Sequence, residues 1–302
     1  MQVTRKQARI ITLCTFLALV LVWGSFPVAA KIGVEHAPPL LLSGVRFLLA
    51  FLIMAGVALF QRKRLRIPWR HHLQVFGIST LMVGIPGSIF FAAAPYAPVS
   101  ILTIMWSTTP IFTALFTVRE SGEVRGWRLV LSLGMGLLGV LIVLLGRLPF
   151  LPGTTLFADG GPALVGELAV LASAVVYALG MRAAKRGNPE MPVVILTTWQ
   201  LFYSSVFLLA MSLIFEPGQR LSFDLPTVGV LLYLVIFCSC ITFLLTFWLI
   251  RRIGAIRTAY ADFLTPGVTL LLSYFFLGED LALTKIAGLI LVILGVFLVE
   301  ME

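Results

Sequence analysis

The chain is poor in charged residues, in cysteine and in histidine. Asp, Glu, Lys and Arg make up 12% of its 302 residues, about half the share in an ordinary soluble domain. Three cysteines are too few for a disulfide framework. The spacing of these cysteines and of the three histidines matches no metal-binding motif. The apolar stretches lack the two-residue alternation of a membrane β-barrel. The composition therefore excludes a soluble globular protein, a disordered chain and a disulfide-stabilised scaffold.

Apolar residues are in excess instead, at 60% of the chain with a mean hydropathy of +1.05. A membrane-spanning helix needs about 20 mostly apolar residues, and ten such stretches follow one another. The predicted spans are 10–32, 40–60, 73–94, 99–118, 128–146, 163–183, 192–215, 227–250, 256–277 and 283–299. The sequence therefore predicts an all-α integral membrane protein with ten transmembrane helices.

The basic residues indicate how these spans are oriented. Seventeen of the 22 Lys and Arg residues lie on the side of the N-terminus, and four lie on the other side. Because cytoplasmic connections are enriched in Lys and Arg, both termini are predicted in the cytoplasm. This distribution explains the net charge of +9 without nucleic acid. The expected partners are the lipid bilayer and a small-molecule substrate, and the expected state is a monomer or a homodimer.

The first span has a second interpretation. Basic residues within 5–9, the apolar stretch 10–22 and small residues at 28–30 also match a cleavable signal peptide. Apolar character continues beyond Ala30, however, and loss of this span would leave an odd count and break the internal repeat. A retained first span is therefore predicted.

The two halves of the chain align with each other. At an offset of 156 residues, Thr109-Pro110 matches Thr265-Pro266, and Gly122-Glu123 matches Gly278-Glu279. Further matches, at an offset of 154, join Trp23 to Tyr177, Ala30-Lys31 to Ala184-Lys185, and Pro38 to Pro192. Shared Thr-Pro, Gly-Glu and Lys at nearly one offset favour a duplication over chance similarity between apolar helices.

The duplication predicts two repeats, residues 1–147 (the first half) and 148–302 (the second half). Each half contains five predicted spans. Because five is odd, the second half enters the membrane in the opposite orientation. Inverted repeats are typical of secondary transporters, in which the substrate binds between the halves near the middle of the membrane.

The chain also resembles a known family at several stretches. Trp23-Gly24-Ser25-Phe26-Pro27-Val28-Ala29-Ala30-Lys31, followed by Pro39-Leu40 and Arg46-Phe47, resembles the opening of an EamA domain of the drug/metabolite transporter superfamily. Residues 110–123 and 266–279 resemble its close. The resemblance covers nearly the whole chain in two copies, and the chain is similar to bacterial amino-acid exporters of the YddG type. It implies ten helices, an inverted 5+5 repeat, a central cavity and export of small metabolites.

Ionisable residues within spans are functional candidates because they are costly there. Asp262 either faces a cavity, where it attracts a substrate ammonium or takes up a proton, or pairs with Arg257 or Arg252. Arg46 can hold a substrate carboxylate, but the favoured interpretation places it at the outer interface or pairs it with Glu35. Glu167, at the start of the sixth span, is expected to meet water.

Aromatic and hydroxyl residues near the matched prolines are the second group of candidates. Trp106 lies in the middle of a span, and its repeat partner is Asp262. Trp248 and Trp199 are expected at the membrane interface instead. The predicted substrate-binding residues are Trp23, Ser25, Trp106, Ser107, Thr108, Tyr177, Tyr260 and Asp262.

Prolines within spans are candidate moving parts. Pro27, Pro110 and Pro266 are predicted to kink their helices and to act as hinges. A static kink that only shapes the bundle is the alternative. Pairing of Pro110 with Pro266 across the repeat favours the mechanical role.

The sequence predicts a transporter and not an enzyme. Gly134 to Gly139 match the dinucleotide pattern GxGxxG, but they lie inside an apolar span with no preceding strand, so no cofactor is expected. The predicted function is secondary export of small amphipathic metabolites, above all amino acids including neutral and aromatic ones, by alternating access. A lipophilic-cation drug exporter is the alternative within the same class. An intramembrane enzyme is a remote alternative that would need a nucleophile or metal constellation.

Overall fold

The computed structural model of the chain describes residues 5–121, 127–145, 161–186, 191–222 and 224–300. Regular secondary structure within these ranges is helical throughout. The helices are α1 (Arg5–His36), α2 (Pro39–Phe60), α3 (Trp69–Ala93), α4 (Val99–Trp106), α5 (Thr109–Ser121), α6 (Trp127–Leu145), α7 (Gly161–Arg186), α8 (Val193–Phe215), α9 (Leu225–Ile253), α10 (Ala255–Ala259), α11 (Ala261–Leu277) and α12 (Leu283–Glu300). The predicted match at Gly122-Glu123 lies outside the described residues.

Seven helical stretches in the described ranges are long and apolar enough to cross a membrane. They are α1, α2, α3, α7, α8, α9 and the stretch formed by α10 and α11. The chain is therefore an all-helical membrane protein. The count of ten spans and the inverted repeat stay predictions.

Proline, glycine and aspartate set several helix ends. Pro39 is the first residue of α2, where its fixed φ suits a helix and its missing N–H is not needed. Gly278 ends α11 in the left-handed region, at a φ of 66°, which other residues adopt only with strain. Asp224 caps α9 by accepting a hydrogen bond from the Thr227 backbone N–H over 2.9 Å. Side-chain and backbone hydrogen bonds from Thr227 lower the pKa of this carboxyl below its ordinary value.

Two helices each contain one π-helical turn. Thr80–Gly84 form this turn in α3, and Ile236–Ile241 form it in α9. The two turns begin 156 residues apart. A π-helical turn redirects backbone hydrogen bonds from the fourth to the fifth residue, and such turns are frequent at functional sites.

Helices from the two halves of the chain pack against one another. Helix α1 lies along α11, α2 along α8, and α6 along α12. The threonine hydroxyl of Thr269 donates a 2.7 Å hydrogen bond to the Gly24 carbonyl. The two backbones approach closely because Gly24 has no side chain: a Cβ there would lie 2.4 Å from the Cβ of Val268.

Two glutamates of the second half cap helices of the first. Glu216 accepts 2.8 Å hydrogen bonds from the backbone N–H groups of Leu40 and Leu41, at the start of α2. Glu279 accepts a 2.8 Å hydrogen bond from the Val99 backbone N–H and bonds the hydroxyl of Ser100, at the start of α4. A carboxylate satisfies the free N–H groups of a first helical turn and complements the helix dipole.

Candidate functional site

A cavity of about 110 Å³ lies between helices of both halves. That volume has room for several water molecules. Its walls are mainly aromatic, with Trp23, Phe47, Phe90, Trp106, Tyr177 and Phe243 among them. Two charged residues, Arg46 and Asp262, also line it. An apolar pocket with a few convergent polar groups is typical of a small-molecule site.

Asp262 is a buried carboxylate in the cavity wall. It is 1% exposed and is the second residue of α11, where the helix N-terminus favours a negative charge. Neither carboxylate oxygen has a hydrogen-bond partner among the described residues. Arg252 and Arg257 are exposed. Of the two interpretations of Asp262, the structure has the cavity position and not the arginine pair.

Three of the predicted aromatic residues lie together around this carboxylate. The ring centroids of Trp106 and Tyr177 are 5.0 Å apart, and those of Trp23 and Tyr177 are 6.3 Å apart, both edge-to-face. The buried Tyr177 hydroxyl has no hydrogen-bond partner among the described residues. Such a surface buries an apolar side chain and stacks on it, while the free hydroxyl can bond a polar group.

The favoured prediction for Arg46 is wrong. The side chain is 4% exposed and lines the cavity, whereas Glu35 is exposed and makes no ion pair with it. Arg46 donates from Nε to the Ser239 hydroxyl over 2.7 Å and from Nη2 to the Cys238 carbonyl over 2.6 Å. These acceptors hold the guanidinium inside the bundle, so it cannot extend to the outer interface.

Four of the predicted substrate-binding residues do not line this cavity. The Ser107 and Thr108 hydroxyls bond back to the carbonyls of Ile104 and Met105. Ser25 bonds the Val22 carbonyl and the Tyr233 hydroxyl. Tyr260 is buried and stacks on Phe263, with ring centroids 6.0 Å apart. In each case the side chain bonds or packs against a neighbouring group on the same helix or on an adjacent one, and it does not line the cavity as the sequence predicts.

A further expectation is wrong. Glu167 is 1% exposed and buried within α7, so it does not meet water. Trp199 is partly buried: its indole donates a 2.8 Å hydrogen bond to the Leu65 carbonyl, in the connection between α2 and α3, and stacks on Tyr203. Its position at the membrane interface stays a prediction.

The predicted hinge prolines occupy three different settings. Pro27 lies inside α1 and lines the cavity. Pro266 lies inside α11. Pro110 is the second residue of α5, directly after the break at Ser107 and Thr108. A second break, at Tyr260, separates α10 from α11. Both predicted spans with a Thr-Pro pair are thus interrupted, 99–118 near its middle beside Trp106 and 256–277 near its start beside Asp262.

The EamA-like transporter family model matches residues 10–145 and again residues 164–301. The chain belongs to the EamA-like transporter family. This membership makes it a membrane transporter of a small-molecule substrate.

Several relatives are similar over nearly their full lengths. The chain is 26% identical over 283 residues to the uncharacterized transporter YoaV of Bacillus subtilis, covering 93% of this chain and 94% of that one. It is 27% identical over 293 residues to a probable amino-acid metabolite efflux pump of Salmonella typhimurium, covering 94% and 93%. It is 28% identical over 290 residues to the uncharacterized inner membrane transporter YedA of Escherichia coli, covering 94% and 89%.

One solved crystal structure shares this fold. It superposes with a TM-score of 0.72 over 96% of each chain, at 20% sequence identity. This likeness supports the helical arrangement and carries no information on the substrate.

Proposed function

We propose that this transporter exports amino acids, neutral and aromatic ones among them, across the bacterial inner membrane by alternating access. The proposal rests on one observation: an aromatic cavity between the two halves contains the buried carboxylate Asp262, which lacks a hydrogen-bond partner in the described structure. A substrate ammonium would pair with that carboxylate. The aromatic walls would bury a side chain of the substrate.

The helix packing supports the inverted-repeat part of the proposal. Under the predicted duplication, α1 corresponds to α7 and α11 to α5. Helix α1 packs on α11, and α7 packs on α5. The pairs α2–α8 and α6–α12 each join two corresponding helices. The π-helical turns of α3 and α9 also stand at corresponding positions. Two related five-helix halves, packed in this way, could exchange conformations and expose the cavity to each side in turn.

Two relatives support the substrate and the location. The Salmonella typhimurium relative is named a probable amino-acid metabolite efflux pump, and the Escherichia coli relative is named an inner membrane transporter. Both chains are covered to about nine-tenths of their length. The same location and substrate class are proposed for this chain, with both termini in the cytoplasm.

The decisive experiment is counterflow in proteoliposomes against a panel of amino acids and lipophilic cations. We expect exchange of neutral and aromatic amino acids. Exchange of lipophilic cations such as tetraphenylphosphonium, without any amino acid, would overturn the proposal in favour of drug export. Arg46 disfavours that outcome, since its positive charge in the cavity would repel a cation.

Substitution of Asp262 by Asn separates two roles of this carboxylate. If it only attracts the ammonium, Asp262→Asn raises the KM for amino acids about tenfold, and a pH gradient drives no uptake in either variant. If it takes up a proton, uptake driven by a pH gradient disappears in Asp262→Asn. Simple facilitated export is the favoured mechanism. Asp224→Asn, which preserves a helix cap outside the cavity, is the control. Unchanged KM and unchanged pH dependence in Asp262→Asn would remove both roles.

A further inference from the structure

Arg46 is a buried charge without a counter-charge. It lies in α2, which is long and apolar enough to cross a membrane, and it is 4% exposed. Within the described part of the chain no carboxylate forms an ion pair with it. A charged side chain at membrane depth is costly and is usually paired or functional. The partner of this guanidinium therefore has to be sought in the cavity that it lines.

The π-helical turn of α9 holds Arg46 in place. In this turn the Thr242 backbone N–H bonds the Phe237 carbonyl, one residue earlier than in a regular α-helix. The Cys238 carbonyl is thereby left to accept from Nη2 of Arg46. Ser239 donates its own proton to the Leu234 carbonyl over 2.9 Å. The Ser239 oxygen is then free to accept a 2.7 Å hydrogen bond from Nε of Arg46.

These two bonds use only part of the guanidinium. Arginine has five N–H groups, and three remain without a hydrogen-bond partner in the described structure. The guanidinium Cζ also lies over the rings of Phe26 and Phe47, 4.8 and 4.7 Å from their centroids. Cation–π contacts of this kind stabilise the charge but leave the in-plane N–H groups free. A planar fork of free N–H groups matches a carboxylate.

We propose that Arg46 binds the carboxylate of the substrate, and that Ser239 is the positioning residue that aims its guanidinium. The inference rests on the proposed function and narrows it to molecules with an α-amino carboxylate. The carboxylate pairs with Arg46 and neutralises its charge in the cavity.

The π-helical turn of α3, in the first half, indicates where the side chain of the substrate packs. Positions 156 residues before Cys238 and Ser239 are Met82 and Val83, which belong to the π-helical turn of α3 and also line the cavity. They offer no polar side chain. This part of the wall is apolar, so the substrate side chain is expected to pack against it while the carboxylate binds at Arg46.

The test compares three ligands that differ by one group. L-phenylalanine has both charges, L-phenylalaninamide lacks the carboxylate, and 3-phenylpropionate lacks the ammonium. Binding to the purified full-length protein is measured by calorimetric titration, and exchange is measured by counterflow. If counterflow shows that another amino acid exchanges faster than phenylalanine, the test uses that amino acid, its amide and its deaminated acid in place of the three phenylalanine ligands. The wild-type protein should bind the amino acid about tenfold or more tightly than the amide.

Variants then locate the cause of this preference. Arg46→Gln should weaken binding of phenylalanine about tenfold or more and change binding of the amide less than about threefold. Ser239→Ala should raise the KM for phenylalanine and leave binding of the amide unchanged, which a loss of packing alone would not do. Ser79→Ala is the matched control. Ser79 is also a buried serine, it bonds only the Val75 carbonyl of its own helix, and it does not line the cavity.

Each outcome decides between the two proposals. Equal loss of acid and amide binding in Arg46→Gln, or an unchanged preference for the acid, overturns the role of Arg46 while amino-acid export stands. Failure of the wild-type protein to bind any amino acid overturns the proposed function. Binding of 3-phenylpropionate that depends on Arg46 would in that case still support a carboxylate site.

Discussion

Trp106 shows what a single side chain contributes to the cavity. It ends α4, lines the cavity and contacts Tyr177 edge-to-face. We expect Trp106→Ala to raise the KM for an aromatic amino acid about tenfold, because stacking and buried area are lost, and Trp106→Phe to keep most of the affinity. The measurement is counterflow at equal protein density in the liposomes.

The control for Trp106 is Trp248→Ala. Trp248 packs against a separate apolar cluster that includes Leu19 and Leu249. An unchanged KM in Trp106→Ala, with transport intact, would mean that the indole does not contact substrate.

Gly24 tests the close contact between α1 and α11. A methyl group there would meet the Cβ of Val268, next to the backbone, so Gly24→Ala forces the two helices apart. Overpacking of this kind costs about 1–3 kcal/mol, and the apparent Tm in detergent should fall by at least about 3 °C. Gly56→Ala is the control, because nothing lies within 4 Å of the added methyl group. A Tm equal to that of the control would refute this account of the contact.

At the level of single residues, the sequence identifies residues with suitable side-chain chemistry better than it predicts where those side chains point. Asp262, Trp106 and Tyr177 stand out as polar or aromatic residues at repeat-matched positions, and the structure has them in the cavity wall. Ser107 and Tyr260 stand out for the same reason, yet they turn away from the cavity. Direction depends on helical phase and on local breaks, which the sequence pattern does not specify.

At the scale of elements, helix starts are tied across the two halves by carboxylates. Glu216→Ala should leave the Leu40 and Leu41 N–H groups without acceptors and lower stability by about 1 kcal/mol. Hydrogen exchange of peptides that contain the first turn of α2 should then become faster. Glu35→Ala, which removes an exposed glutamate, should leave both measurements unchanged. Protection of α2 that is as strong in Glu216→Ala as in the wild-type protein would show that water replaces the cap fully.

The interior of a span is harder to predict than its existence. The apolar stretch 227–250 predicts one continuous helix, and α9 covers it. The sequence of Ile236–Ile241 does not predict the π-helical turn, because the turn depends on packing against α2 and on the bonds to Arg46. The sequence raises a carboxylate-binding role for Arg46 but does not favour it, for the same reason: its charge is visible in the sequence, but its acceptors come from a distant helix.

At the scale of the molecule, the orientation in the membrane is open to a direct test. Arg66 and Gln219 are exposed residues in connections that the basic-residue distribution assigns to opposite sides. In a background without Cys14, Cys238 and Cys240, an impermeant maleimide added to intact spheroplasts should label Gln219→Cys. It should label Arg66→Cys only after lysis. The cysteine-free background is the control, and the reverse labelling pattern would invert the proposed topology.

The two charges in the cavity also affect the speed of the transport cycle. Without substrate, Arg46 and Asp262 are buried and form no ion pair in the described structure. Closing the empty cavity would strip water from both groups, and this desolvation is costly. A bound substrate lowers that barrier because its carboxylate neutralises Arg46. The loaded carrier should therefore reorient faster than the empty one, so exchange of substrate for substrate should outpace net efflux, and the slow step of export should be the return of the empty site.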